Sequence, residues 1–207
     1  MPKGSEQLTN SRREEIIDAC AALYEKMNFK DITIKEISKY TSFTRTSIYN
    51  YFRTKEEIFL ALFQREYELW IDDLTHLASD NQRLSADDFA SKLASSLEKR
   101  QRLLKLLSMN MYDMEENSSM DSLVAFKYAY GRSINALKVC LKKFFPQMAE
   151  RDAENFIFTF FPFIYGIYPY TYVTEKQREA MKKAGVEFKY LSVYEMAYME
   201  IKKLLDI

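Results

Sequence analysis

The chain is poor in the residues that most reaction chemistry needs. It has one histidine, His76, two cysteines, four glycines and four prolines in 207 residues. A lone His between Thr75 and Leu77, with no nucleophile, base or metal set in view, gives no basis for catalytic or metal-ligating residues. Neither role is assigned, no cofactor is expected, and the chain is read as a non-enzyme. Glycines this scattered cannot form a phosphate-cradling loop. Scarce Gly and Pro, no alternating β-rich runs and many helix-capping signals predict an all-α fold of about ten helices. Cys20 and Cys140 lie far apart at apolar positions of predicted helices, which fits buried free thiols better than a disulfide or a metal site. No cleavable signal precedes the first helix, so a cytoplasmic location is expected.

Net charge is also missing, with 30 basic and 30 acidic residues. Taken as a whole, that argues against a nucleic-acid partner. The distribution reverses the argument. Residues 1–55 hold ten Lys and Arg against seven Asp and Glu, a surplus of +3, and the remainder carries −3. Between Glu36 and Glu56 there is no carboxylate, while Lys39, Arg45, Arg53 and Lys55 fall inside the interval. Local clustering of this kind matters more than the sum.

The same interval reads as two short helices joined by a tight turn. Thr33-Ile-Lys-Glu36 is a capping box, in which the Thr hydroxyl and the Glu side chain each satisfy an orphan backbone N–H. Ile34 and Ile37 supply the apolar stripe of the first helix. The second starts from a cap at Thr44, with Ile48 and Phe52 facing the core one turn apart. Arg45, Thr46, Tyr49 and Asn50 are left for the opposite side. Thr54-Lys-Glu-Glu57 then caps a third helix. A helix-turn-helix whose second helix lacks carboxylates is suited to approach phosphates.

This segment resembles the DNA-binding head of the TetR family of bacterial transcriptional repressors. The matching residues are Thr33-Ile34, Ile37-Ser38, the run from Phe43 to Phe52, and Lys55-Glu56-Glu57-Ile58, covering about the first quarter of the chain. Where that family usually has a small residue and a glycine in the turn, this chain has Thr41 and Ser42, and a Ser at positive φ would carry a cost. The resemblance implies a DNA-binding domain over residues 1–55, followed by a helical ligand-binding and dimerisation domain over 56–207. It also implies a regulator, read here as a repressor, released from double-stranded DNA by a small molecule of unknown identity. The competing reading is a helical adaptor of the same fold that binds a protein partner and no longer DNA. Nothing in an adaptor would require a carboxylate-free interval. Arg45, Thr46 and Ser47 are expected to reach base edges, because residues at the start of a recognition helix reach the groove floor. Tyr49, Asn50 and Lys55 are expected on phosphates, with Thr33 at its helix N-terminus as another phosphate contact.

Along the rest of the chain, helix starts are expected at Ser11-Arg-Arg-Glu14, Ser85-Ala-Asp-Asp, Thr174-Glu-Lys-Gln177 and Ser192-Val-Tyr-Glu195. A long helix after Thr54 carries Trp70 and links both domains. One helix is expected over Lys99–Asp113, a loop at Glu115–Ser119, a long helix over Asp121–Phe145 ended by Pro146, and another from about Glu150. Gly185 should end the Thr174 helix as its C-terminal glycine.

Asn155–Thr174 is twenty residues without a charge. Its prolines, glycine and tyrosines, flanked by Glu154 and Glu175 rather than basic anchors, argue against a membrane span. A helix buried on nearly all sides is predicted, with a kink or a free carbonyl at Pro162. Two readings of its aromatics stay open, a ligand cavity and a plain core or subunit interface. For a cavity, the candidate lining is Trp70, Tyr112, Phe126, Tyr130, Tyr165 and Tyr168, which would suit an apolar or aromatic ligand. In the last helix, Val193, Tyr194, Ala197, Tyr198, Ile201, Leu204 and Leu205 fall within one broad arc, wider than one packing partner needs. Tyr194, Tyr198, Ile201 and Leu205 are therefore expected at a homodimer interface. A helix-turn-helix dimer reads paired half-sites, so the operator should be pseudo-palindromic.

Overall fold

The computed structural model describes residues 3–109 and 111–206, with side chains from Gln7 onward. Among them are eleven α-helices and no strand. In chain order they are α1 Lys3–Lys26, α2 Ile34–Ser38, α3 Arg45–Ile48, α4 Lys55–Asp80, α5 Ala86–Lys99, α6 Gln101–Leu107, α7 Met111–Glu116, α8 Met120–Phe144, α9 Glu150–Thr171, α10 Glu175–Lys183 and α11 Val193–Leu204. No helix among the described residues is long and apolar enough to cross a membrane.

Most helix starts follow the local chemistry. Thr33, Thr44, Ser85, Thr174 and Ser192 each accept a hydrogen bond from the backbone N–H three residues on. Thr54 does the same for Glu57, at 3.2 Å. Each such cap contributes on the order of 1 kcal/mol. Ser192 and Glu195 complete the reciprocal box. Gly185 sits at φ +68. There its N–H and that of Val186 close back on the carbonyls of Lys182 and Met181 at 3.2 and 3.0 Å. That is a Schellman end, for which glycine has the least steric cost.

Several expectations are corrected. Ser11 caps nothing, because α1 already runs through it from Lys3. The single helix expected over Lys99–Asp113 is two, α6 and α7, and the expected loop from Glu115 begins only after Glu116. Arg100 leaves helical geometry between α5 and α6 (φ −103, ψ 43). Its guanidinium there makes a two-pronged pair with Asp73 at 2.6 and 2.8 Å. α9 keeps Pro162 and Pro169 inside the helix, and because Pro162 has no N–H the Phe158 carbonyl lacks its helical donor four residues on, as the sequence predicts. The helix is not, however, buried all round. Phe156, Ile157, Phe160, Phe161, Ile164 and Ile167 are buried, whereas Phe158 is 75% exposed. Asn155, Thr159, Pro162, Gly166, Pro169 and Tyr170 are exposed with it.

By contact the chain divides into two compact units. One is Met1–Arg65 with Asn110–Ala129, and the other Glu66–Met109 with Tyr130–Ile207. Residues 56–65 and 110–129 thus group with the helix-turn-helix. In the first unit, Ile16, Cys20, Ile37, Ile48 and Phe52 form a core under α2 and α3. Phe59 packs edge-on against Tyr24 and Phe29, and Phe63 lies 4.8 Å from Phe126. In the second unit, α11 packs on α5 and α9, and α6 on α9. Trp70, fully buried, donates from Nε1 to Ser96 Oγ at 3.1 Å. Cys20 and Cys140 are both buried thiols, neither of them in a disulfide. Burial pushes the Cys140 thiol up to about 11, so it stays protonated and unreactive at neutral pH.

Candidate nucleic-acid interface

α2 and α3 are too short to hold themselves, so the reading segment is fixed from α1 and from the residues that follow it. Arg13 lies over the Phe52 ring at 4.4 Å and donates to the Tyr51 carbonyl at 3.1 Å. Arg12 lies over Phe43 and donates to the Tyr51 hydroxyl. Glu15 accepts from both the backbone N–H and the Oγ of Ser42. Among the described non-glycine residues only Asp206 has positive φ. Ser42 is therefore unstrained, and the cost expected for replacing a turn glycine is absent, because the turn is closed by Glu15 instead. Thr41 Oγ1 adds bonds to the carbonyls of Ser38 and Phe43 at 3.2 and 3.0 Å.

Held this way, α3 buries Ile48 and leaves Arg45, Thr46, Tyr49 and Asn50 exposed together, with Ser47 half-buried. The Arg45 guanidinium donates to the Tyr49 hydroxyl at 3.1 Å and lies over its ring. Ser47 Oγ is 3.1 Å from Thr44 Oγ1 inside the cap. Thr33 is exposed, but its hydroxyl accepts from the Glu36 N–H, and Glu36 turns away to pair with Lys39 at 2.7 Å. Lys55 is half-buried. Its ammonium donates to the Phe29 carbonyl at 3.0 Å and sits 4.1 Å from the centre of that ring. One of its three protons is thus used inside the head.

Glu57 is the residue whose role was least visible in the sequence. It is 5% exposed. In place of the Thr54 N–H that a capping box would use, it accepts from the Arg53 N–H at 2.7 Å and from the Ser119 N–H at 3.1 Å. Burial works to raise its pKa, but hydrogen bonds from Ser119 and Arg53 overcome this and hold it below the ordinary 4.5. A depressed carboxylate stabilises the fold above the unfolded value, and that contribution is lost as pH falls through the folded one. Glu57→Gln is therefore expected to be less stable at neutral pH and to show a shallower loss between about pH 5 and pH 3. Urea unfolding across that range checks it, and parallel curves for variant and parent would refute it.

The six aromatics read as a cavity lining are divided between the two units. Tyr112 lies on the surface, 81% exposed. The break before α7 shifts its helical phase so that Met114 takes the buried position. Phe126 packs on Phe63 in the first unit. In the second unit, Trp70 lies 6.5 and 6.0 Å from Phe160 and Phe161, and Tyr130 lies 5.4 Å from Phe161 and 5.9 Å from Tyr67. Burial first, and then the neighbouring Tyr165 and Tyr130, push the pKa of the Tyr67 hydroxyl well above its usual value. Tyr168 stacks on Tyr172 at 4.5 Å. A cleft of about 420 Å³ in this unit is lined instead by Lys138, Leu141, Lys142, Phe145, Pro146, Met148, Glu150, Ala153 and Glu154. None of the six borders it.

The four residues read as a dimer surface are also rearranged. Ile201 is fully buried on the side of α11 that packs within the unit. Tyr194 pairs with Ser91 at 3.1 Å, and the Tyr198 hydroxyl donates to Asp87 at 2.5 Å. Leu205, just past the end of α11, is half-buried. Much of the broad apolar arc is thus used inside the chain, on α5. The helix near Arg151–Tyr168 is also expected at the dimer from its uncharged run, but such a run does not announce which of its sides is left in water.

Comparisons with known proteins agree with this geometry. The family model for "Bacterial regulatory proteins, tetR family" matches residues 16–62, and the "Tetracyclin repressor-like, C-terminal domain" model matches residues 64–190. Among solved structures, a TetR/AcrR-family transcriptional regulator from Thermobifida fusca YX-ER1 is similar at 16% identity, covering 95% of this chain and 97% of that one, with a TM-score of 0.64. A TetR-family transcriptional regulator from Mesorhizobium loti MAFF303099 is 14% identical over 96% of each chain, with a TM-score of 0.63. The fatty acid degradation regulator FadR from Bacillus halodurans is 15% identical over 94% of each chain, with a TM-score of 0.59. No curated protein matched. With both family models matched in order along an all-helical chain, the protein belongs to the TetR family of bacterial regulators.

Proposed function

We propose that this regulator is a repressor that binds a pseudo-palindromic operator as a homodimer and leaves it when a small apolar or aromatic effector binds its C-terminal helices. The observation that carries the DNA-binding part is the outer face of α3, where Arg45, Thr46 and Asn50 stand exposed in an interval free of carboxylates. Arg45, Thr46 and Ser47 are assigned to base edges, and Thr33, Tyr49, Asn50 and Lys55 to phosphates. Lys55 has two ammonium protons left for that contact after its bond to Phe29. The exposed, uncharged side of α9 supports a dimer, since an apolar helix face in water calls for a partner. For the effector, Trp70, Tyr130, Tyr165 and Tyr168 remain the aromatic side chains to examine. An effector releases DNA only by binding the released state more tightly, so affinity alone is not induction.

A gel shift with the DNA upstream of the protein's own coding region tests binding and target together. On that DNA, Arg45→Ala should cost about 1–3 kcal/mol, mostly on the specific site, whereas Lys55→Ala should weaken binding to all DNA and reduce the salt slope by about one unit. Affinities for operator and random DNA across a salt series separate the two. Equal losses on both DNAs would remove Arg45 from base reading. A thermal-shift screen of apolar and aromatic compounds, followed by operator-release assays on the hits, tests the effector. If no hit releases DNA, the sensor role is abandoned and the DNA-binding role stands.

A further inference from the structure

We propose that Glu57 is a positioning residue for DNA reading: its one carboxylate joins the backbone that leaves the recognition helix to the start of α8, so the reading segment takes its pose from α8 as well as from α4. This rests on the DNA-binding reading of α3.

An ordinary cap satisfies the N–H groups of its own helix. Glu57 bonds Arg53, two residues before α4 begins, and Ser119, 62 positions away in sequence. A second link runs parallel to the first, because Thr54 Oγ1, which accepts from the Glu57 N–H, lies 2.9 Å from the Asn117 carbonyl and donates to it. Side chains 54 and 57 thus grip both ends of the Asn117–Ser119 connection between α7 and α8. The C-terminal end of the reading segment and the first turn of α8 also face one cleft of about 250 Å³, lined by Tyr49, Asn50, Tyr51, Phe52, Arg53, Glu57, Ser119, Asp121 and Ser122. Tyr49 and Asn50, assigned above to phosphates, are therefore on the wall that the latch sets. α8 itself continues for 25 residues, to Phe144, so whatever moves its first turn pulls on Arg53 through a single carboxylate.

The latch makes a prediction opposite in sign to that of simple charge. Removing a carboxylate near DNA should strengthen non-specific binding, because one repulsive charge is gone. Loss of the latch should weaken operator binding, because the reading segment is no longer held in register. The experiment measures operator and random-DNA affinity, thermal unfolding and amide hydrogen exchange for Glu57→Gln, Ser119→Pro, Ser119→Ala and the double variant Glu57→Gln/Ser119→Pro. Gln keeps the size of Glu but presents an NH2 to one of the two amides. Pro at 119 removes the bonded N–H, and Ala at 119 keeps it.

Glu57→Gln and Ser119→Pro should each lower operator affinity about tenfold while leaving random-DNA affinity unchanged or slightly raised. The double variant should be no worse than the worse single one, and Ser119→Ala, which keeps the amide and loses only the hydroxyl beside Glu57, should lose less than Ser119→Pro. In Glu57→Gln the Arg53 and Ser119 amides should both exchange faster. Unchanged operator affinity in Glu57→Gln, or losses equal on both DNAs and proportional to lost thermal stability, would overturn the proposal. If the parent protein bound no DNA at all, the DNA-reading function would fall, and unaltered exchange at Arg53 and Ser119 would separately dismiss the latch. Should Ser119→Pro not fold, Glu57→Gln with hydrogen exchange decides the matter alone.

Discussion

Phe158→Asp is expected to give a folded monomer that has lost its operator. Phe158 is 75% exposed on the uncharged outer face of α9, so within one chain the substitution removes little packing and should change unfolding by no more than about 0.5 kcal/mol. At a dimer interface the same carboxylate would be desolvated without a partner, at a cost of several kcal/mol felt once in each protomer. A lone reading head then contacts one half-site, and affinity should fall toward the non-specific level, about a thousandfold or more. Sedimentation at micromolar concentration together with a gel shift checks both parts. A parent protein that sediments as a monomer, or a variant that stays dimeric, would take α9 out of the assembly. Ile201→Asp, the substitution that the sequence alone recommends, is the wrong probe. Ile201 is fully buried, so Asp there should unfold the second unit before it reports on any interface.

Trp70→Ala should cost about 3–5 kcal/mol of stability, a large part of the 5–15 kcal/mol typical of a folded domain. The indole is fully buried between Phe160 and Phe161, and its N–H is bonded to Ser96. Truncation removes that area and leaves a cavity that the neighbours on α5 and α9 can only partly close. Urea unfolding gives the number. A loss below about 1 kcal/mol would mean that open space already lies beside the indole, which is the result an effector pocket at this position requires.

What the sequence determined by itself was most of what has a short chemical range, although the Ser11 cap and the Glu57 half of its box did not form. Thr33, Thr44, Thr54, Ser85, Thr174 and Ser192 mark real helix starts because a cap and its N–H lie three residues apart, and no tertiary contact can change that spacing. Gly185 ends α10 for the same local reason. The exposed set on α3 was legible as well, since Ile48 and Phe52 fix which side is buried. The tertiary structure alone decided where each helix spends its remaining apolar surface. It put Ile201 inside rather than at an interface, left Phe158 in water, and turned Tyr112 outward when the chain broke before α7. It also gave the Glu57 carboxylate a partner 62 residues away. A pattern of 3.6 residues per turn reports that a face is apolar but not what will cover it. Likewise, a carboxylate three residues after a Thr has the same sequence signature whether it bonds its own cap or reaches across to another helix.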